Sequence, residues 1–122
     1  MIDMNSDLLK AREELKNKLI HNAQKVIDEV FTKELENLIE IGLFGSLVQG
    51  NFTCLSDADV YLIFDGDIPE RTIKGELRSI AEENNCDIVF ISNVDFLKDS
   101  PSLLVMNIKK HQQIIWRRNT ND

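Results

Sequence analysis

The chain has 122 residues, a length that suits one domain burying about two-thirds of its unfolded surface. Apolar residues make up 43% and charged residues 29%, with five glycines and two prolines, which excludes collagen-like and linker-like chains. The formal net charge of -7 argues against sequence-independent binding of nucleic acid, no apolar run approaches a membrane span, and the acidic opening "MIDMNSDLLK" does not read as a secretory leader.

Residues 6 to 31 read as one long helix that Ser6 or Asp7 can cap. Leu8, Leu15, Leu19, Ala23, Val26 and Val30 fall along a stripe of three- and four-residue steps, with Arg12 as its polar exception. In the next segment, "TKELENLIEIGLF", the first half suits a second short helix. Ile39, Ile41 and Leu43 alternate like a strand ending at Gly45. "DVYLIFDGD" is a second strand stopped by Asp65-Gly66. Pro69 suits the first turn of a helix running to about Asn84, with Ile73, Leu77, Ile80 and Ala81 on its inner face.

Asn84-Asn85 ends that helix and "CDIVFIS" follows as a third strand. A short helix near Val94 to Lys98, another opened by Ser100-Pro101, and a last strand "QQIIW" complete the chain. Cys54 and Cys86 have no metal-like spacing and suit the reduced thiols of a cytoplasmic protein. Lys109, Lys110, Arg117 and Arg118 gather near the end as a solvated face, and both His21 and His111 read as surface residues. The order implies an α+β domain over residues 1–122, its sheet covered mainly on one face by helices. A long N-terminal helix at about 6–31 precedes core motifs at 38–92, with a small helix and strand at 93–116.

The chemistry concentrates in "GLFGSLVQGNFTCLSDADVYLIF", residues 42–64. Asp57 and Asp59 stand two apart at the head of a strand, so period-two geometry aims both carboxylates to one face. No basic residue lies between Lys33 and Arg71 to neutralise them. Like charges that close raise a pKa or share a cation, and a polar loop-to-strand junction favours a hard divalent ion such as magnesium. Asp87, at the head of a strand that should be buried, is the third candidate ligand. Three carboxylates from two strand starts suit a pair of metal ions that activate a hydroxyl and stabilise a phosphoryl leaving group. Gly45 and Ser46 supply backbone N–H groups and a hydroxyl for phosphate oxygens. Tyr61 shares a face with Asp59 in a regular strand, where it either lines a nucleotide site or fills the core.

A Gly-Ser pair, a spacer of about ten residues, Asp-x-Asp and a third Asp on a later strand resemble the nucleotidyltransferase superfamily of polymerase-beta type. The likeness covers about residues 38 to 92, and "SPSLLVMNIKKHQQIIW" is similar to the closing helix and strand of its minimal members. The resemblance implies a mixed sheet with helices mainly on one face and transfer of a nucleoside monophosphate, AMP from ATP, to a hydroxyl. It further implies that Asp57, Asp59 and Asp87 hold two Mg2+ ions and act in catalysis, with Gly45 and Ser46 on the outer phosphates and Gln49 and Tyr61 beside the nucleotide.

Members of this size resemble antitoxins that adenylate a tyrosine of a small helical ribonuclease toxin of the HEPN type. The resemblance thus implies such a partner, in a homo- or hetero-oligomer, away from membranes and without direct nucleic-acid binding. Where minimal members read Gly-Ser-Arg-x-Arg-Gly, this chain has Leu47 and Gln49 in place of both arginines. The alternative function is therefore a catalytically weak or inactive domain of the same fold that neutralises a partner by contact.

Overall fold

A computed structural model describes residues 4–119. Helix α1 (Met4–Thr32) leads into strand β1 (Leu38–Phe44), and the short helix α2 (Ser46–Gln49) into β2 (Ala58–Phe64). Helix α3 (Arg71–Glu83) then precedes β3 (Cys86–Ser92). Two smaller helices, α4 (Asn93–Phe96) and α5 (Leu103–Lys110), come before β4 (Gln113–Arg117). The four strands form one mixed sheet in the order β3-β2-β1-β4. β2 and β3 are parallel because α3 crosses over between them, while β1 runs antiparallel to both β2 and β4.

Alternation along β2 separates two apolar layers. Val60, Leu62 and Phe64 join the larger cluster with Val26 and Val30 of α1 and Leu77 and Ala81 of α3. Tyr61 and Ile63 join Ile91, Val105 and Ile108 in a smaller cluster on the other face, beneath α5. The long helices thus share one face, as the helical stripes imply. Ile73 and Ile80 of the expected inner face of α3 are only partly buried.

Four expectations change at segment ends. The second short helix after α1 does not form. Glu34 takes a positive φ of 50°, and a turn from Leu38 N–H to the Leu35 carbonyl folds Leu35 back onto the core. The alternation Ile39, Ile41, Leu43 is interrupted, because a register shift between Leu38 and Glu40 puts Ile39 against the smaller cluster while Ile41 and Leu43 join the larger. Pro69 stands just ahead of α3, whose N-cap is Glu70, and α5 is capped by Ser102, whose side chain accepts from Val105 N–H, rather than by Ser100.

The shift in β1 also buries Glu40, which is 6% exposed. Its carboxylate accepts from the Tyr61 hydroxyl at 2.7 Å and from Arg117 Nε at 2.9 Å, with Arg117 Nη2 at 2.8 Å. A buried acid satisfied on both oxygens ties the edge strand β4 to the centre of the sheet. Among the described residues no helix is long and apolar enough to cross a membrane.

Candidate active site

The site is built at the start of β2. Phe44 pairs with Asp59 across the antiparallel ladder, and Asp59 pairs with Asp87 across the parallel one. Phe44, Asp59 and Asp87 are thereby set side by side across three adjacent strands, about 5 Å from strand to strand, and Gly45 follows directly after Phe44. Asp59 and Asp87 occupy the same alternation as Tyr61, Ile63 and Ile91, so they continue the smaller layer beyond its apolar part.

Gly45 is required by its backbone and by its neighbour. It has φ 76° and ψ -154°, a region open essentially to glycine alone, and an added Cβ would overlap Asp59 Oδ2. The turn therefore brings main chain against the carboxylate, with half-buried Ser46 opening α2 directly after it. Leu47 is turned into the larger core cluster, and Gln49 is exposed at the end of α2.

The three aspartates differ in how firmly they are held. Asp59 lies in the ladder and is half-buried. Asp87 itself is exposed, while the rest of β3 around it is buried or partly buried, as expected of an apolar strand. Asp57 precedes the first residue of β2, so the ladder does not fix its side chain as period-two geometry assumed. Among the described residues none of the three carboxylates makes a hydrogen bond or an ion pair.

Burial, then Asp87, then Asp57 push the Asp59 carboxyl up to about 6. Burial and the same three acids push the neighbouring Cys86 thiol up to about 11. These acids repel one another without a counter-charge, and oxygen donors in that state suit a hard divalent cation. The donor chemistry fits magnesium, yet no three Asp, Glu, His or Cys side chains among the described residues converge as a ready-made metal cluster.

Beside the aspartates a cavity of about 440 Å³ opens between α3 and the edge of β3, bounded by Asp57, Asp87, Asn85, Glu82 and Arg78. Arg78 rests over the Phe90 ring at 5.3 Å and is the cation that the fold returns to an acid-lined region. Tyr61 takes the core alternative. It is fully buried against Phe44, and both burial and Glu40 raise its phenol above the ordinary range. His21 and His111 are exposed.

Sequence reasoning undervalued Arg12. Its guanidinium donates to the carbonyls of Phe52, at 3.2 Å, and Gly50, and lies 4.2 Å over the Phe52 ring. The signal was present as the single polar break in the stripe of α1.

The sequence profile of the family described as "Polymerase beta, Nucleotidyltransferase" matches residues 13–121. Comparison with curated proteins gives no match. Among solved structures, one of a nucleotidyltransferase-family protein from Sulfolobus solfataricus is 21% identical, with a TM-score of 0.57, covering 88% of this chain and 87% of that one. A toxin–antitoxin crystallised with AMP-PNP is 21% identical at a TM-score of 0.51, covering 84% and 73%. A point mutant of the toxin–antitoxin MntA–HpeT is 22% identical at 0.52, covering 75% and 70%. At these identities the structures share a fold with this chain. With the profile spanning most of its length, the chain belongs to the polymerase beta nucleotidyltransferase family.

Proposed function

We propose that this protein is a magnesium-dependent nucleotidyltransferase that moves AMP from ATP to a hydroxyl, a tyrosine of a small helical HEPN-type toxin, and so acts as an antitoxin. The observation that carries the reading is the register of Asp59 with Asp87 beside the Gly45 turn: acids without counter-charge next to main chain shaped for close approach. Family membership and the fold shared with toxin–antitoxin structures, one of them crystallised with AMP-PNP, support it.

In this reading Asp57 and Asp59 hold magnesium, and Asp87 completes the site and takes the proton of the acceptor hydroxyl. Magnesium bound there supplies charge stabilisation for the transferred phosphoryl group. The acceptor oxygen bonds to the α-phosphorus, the bond from that phosphorus to the bridging oxygen breaks, and pyrophosphate leaves. Gly45 and Ser46 orient the outer phosphates through the N–H groups and hydroxyl of the turn. Gln49, exposed at the end of α2, contacts the nucleotide in this reading, whereas Tyr61 stays in the core.

A second reading is favoured by Leu47. A side chain packed in the core leaves that position without a cation for the leaving pyrophosphate, which suits a domain that neutralises its partner by contact with little or no catalysis. The two readings separate when the protein is mixed with magnesium, the neighbouring gene's product and ATP labelled at either the α- or the γ-phosphate. Transfer of the α-label alone to the partner supports the enzyme. Stable complex formation without label from either position supports contact.

A further inference from the structure

Residues 50–57 join the Gly45 turn to the Asp57–Asp59 pair, and among the described residues Arg12 supplies the side-chain hydrogen bonds that reach them from outside. Three hydrogen bonds close residues 53–56 on themselves. Ser56 N–H donates to the Thr53 carbonyl at 3.0 Å, Thr53 N–H to Ser56 Oγ at 2.8 Å, and Leu55 N–H to Thr53 Oγ1 at 3.2 Å. Such a turn can move as a body. Beneath it, between α1 and Asp57, lies a cavity of about 270 Å³ lined by Leu15, Leu19, Asn22, Leu55 and Ser56. Leu55 is 90% exposed, so packing pins the loop at Phe52 but not at its tip.

The anchor stands at the start of the loop. Phe52 is buried in the larger cluster, and Arg12 covers its ring while donating to the carbonyls on either side of Asn51. Residues 6–14 of α1 are otherwise exposed. That half of the helix thus reaches past the core and touches this loop through Arg12. A planar guanidinium suits the task, since one fork meets two carbonyls while its face meets an aromatic ring.

We propose that Arg12 is a positioning residue for the metal site: it latches the loop so that Asp57, which the β-ladder does not hold, stays beside Asp59 and Asp87. The inference rests on the reading that Asp57 is a metal ligand. If unlatching leaves the loop competent for about a tenth of the time, apparent metal affinity falls about tenfold, because a binding-competent fraction scales affinity directly.

The test uses manganese as the probe, with affinity measured by electron paramagnetic resonance well below the melting temperature for wild type, Arg12→Ala, Arg12→Lys and Asp57→Asn. Amide exchange is followed in parallel. The expected result is a loss of about tenfold in Arg12→Ala and partial recovery in Arg12→Lys, which keeps the charge but not the fork. Exchange should quicken at Ser56 and Asp57 while β1 and α3 stay protected. If Arg12→Ala lowers only the melting temperature, leaving manganese affinity and loop exchange at wild-type values, the proposal is overturned. Should Asp57→Asn weaken manganese while Arg12→Ala does not, the metal site stands and the latch falls. Should Asp57→Asn itself bind manganese like wild type, the reading of Asp57 as a ligand falls and takes the latch with it.

Discussion

Asp59 and Asp87 are register partners across the parallel strands β2 and β3, and neither carboxylate has a hydrogen bond or an ion pair among the described residues. Two unpaired acids on one strand pair raise the energy of the metal-free protein. The same arrangement suits it to a cation, because an ion that binds there removes the repulsion.

The first prediction is a pH dependence of stability without metal. Burial and the neighbouring acids push the Asp59 carboxyl from its ordinary 3.8 up to about 6 in the folded chain. Between those values the folded state holds more protons, so Asp59 makes stability fall as pH rises through that window and leaves the full loss above it. The group is partly exposed, and screening reduces the full conversion of about 1.4 kcal/mol per unit to an expected total of about 1 kcal/mol. Asp59→Asn should therefore melt higher than wild type at pH 7.5 by a few degrees, with the difference shrinking toward pH 4.

Gly45→Ala should destabilise the fold by about 1–3 kcal/mol, since a side chain there is strained by its φ and meets Asp59. Chemical denaturation read by circular dichroism checks this. In contrast, Gly50→Ala has open space around it, so its cost should be limited to the backbone strain of φ 85°.

Tyr61→Phe should cost about 1–3 kcal/mol by removing the hydroxyl from buried Glu40, while the Kd for magnesium–ATP stays within twofold of wild type. A large change in nucleotide affinity without a change in melting would place Tyr61 in the site after all.

Reintroducing arginine should have opposite results two residues apart. Leu47 is 5% exposed, so Leu47→Arg drives an unpaired charge into the core and should unfold the domain or cost several kcal/mol. Gln49 is exposed, so Gln49→Arg should leave melting within a few degrees and tighten magnesium–ATP binding about tenfold, in keeping with a charge-assisted phosphate contact. Thermal melting and calorimetric titration measure the two arms.

Much of this was readable before any coordinates. The third strand, "CDIVFIS", coincides with β3, because Asn84-Asn85 stops α3 and an unbroken apolar run follows. The stripe of α1 holds from Leu15 to Val30, where its regular spacing meets the core, but not at Leu8, which is 66% exposed because that end of the helix reaches past the core. Ile39 was misplaced because a register shift is a pairing event between two strands and leaves no mark on the alternation of one. The buried strand expected around Asp87 is present, but the exposure of Asp87 between buried Cys86 and Ile88 was not readable, because apolar content does not say what covers the head of a strand. Arg12 showed only as a break in a pattern, since its partners are main-chain carbonyls about 40 residues away, and carbonyls have no sequence signature.

The most direct measurement is the intact mass of the protein encoded beside this one, after incubation with this chain, magnesium and ATP, with Asp57→Asn/Asp59→Asn as control. The account predicts a partner heavier by one or more adenylate units with wild type and unchanged with the double variant. A partner whose mass stays unchanged with wild type, in a complex that nevertheless forms, would contradict transfer and leave neutralisation by contact.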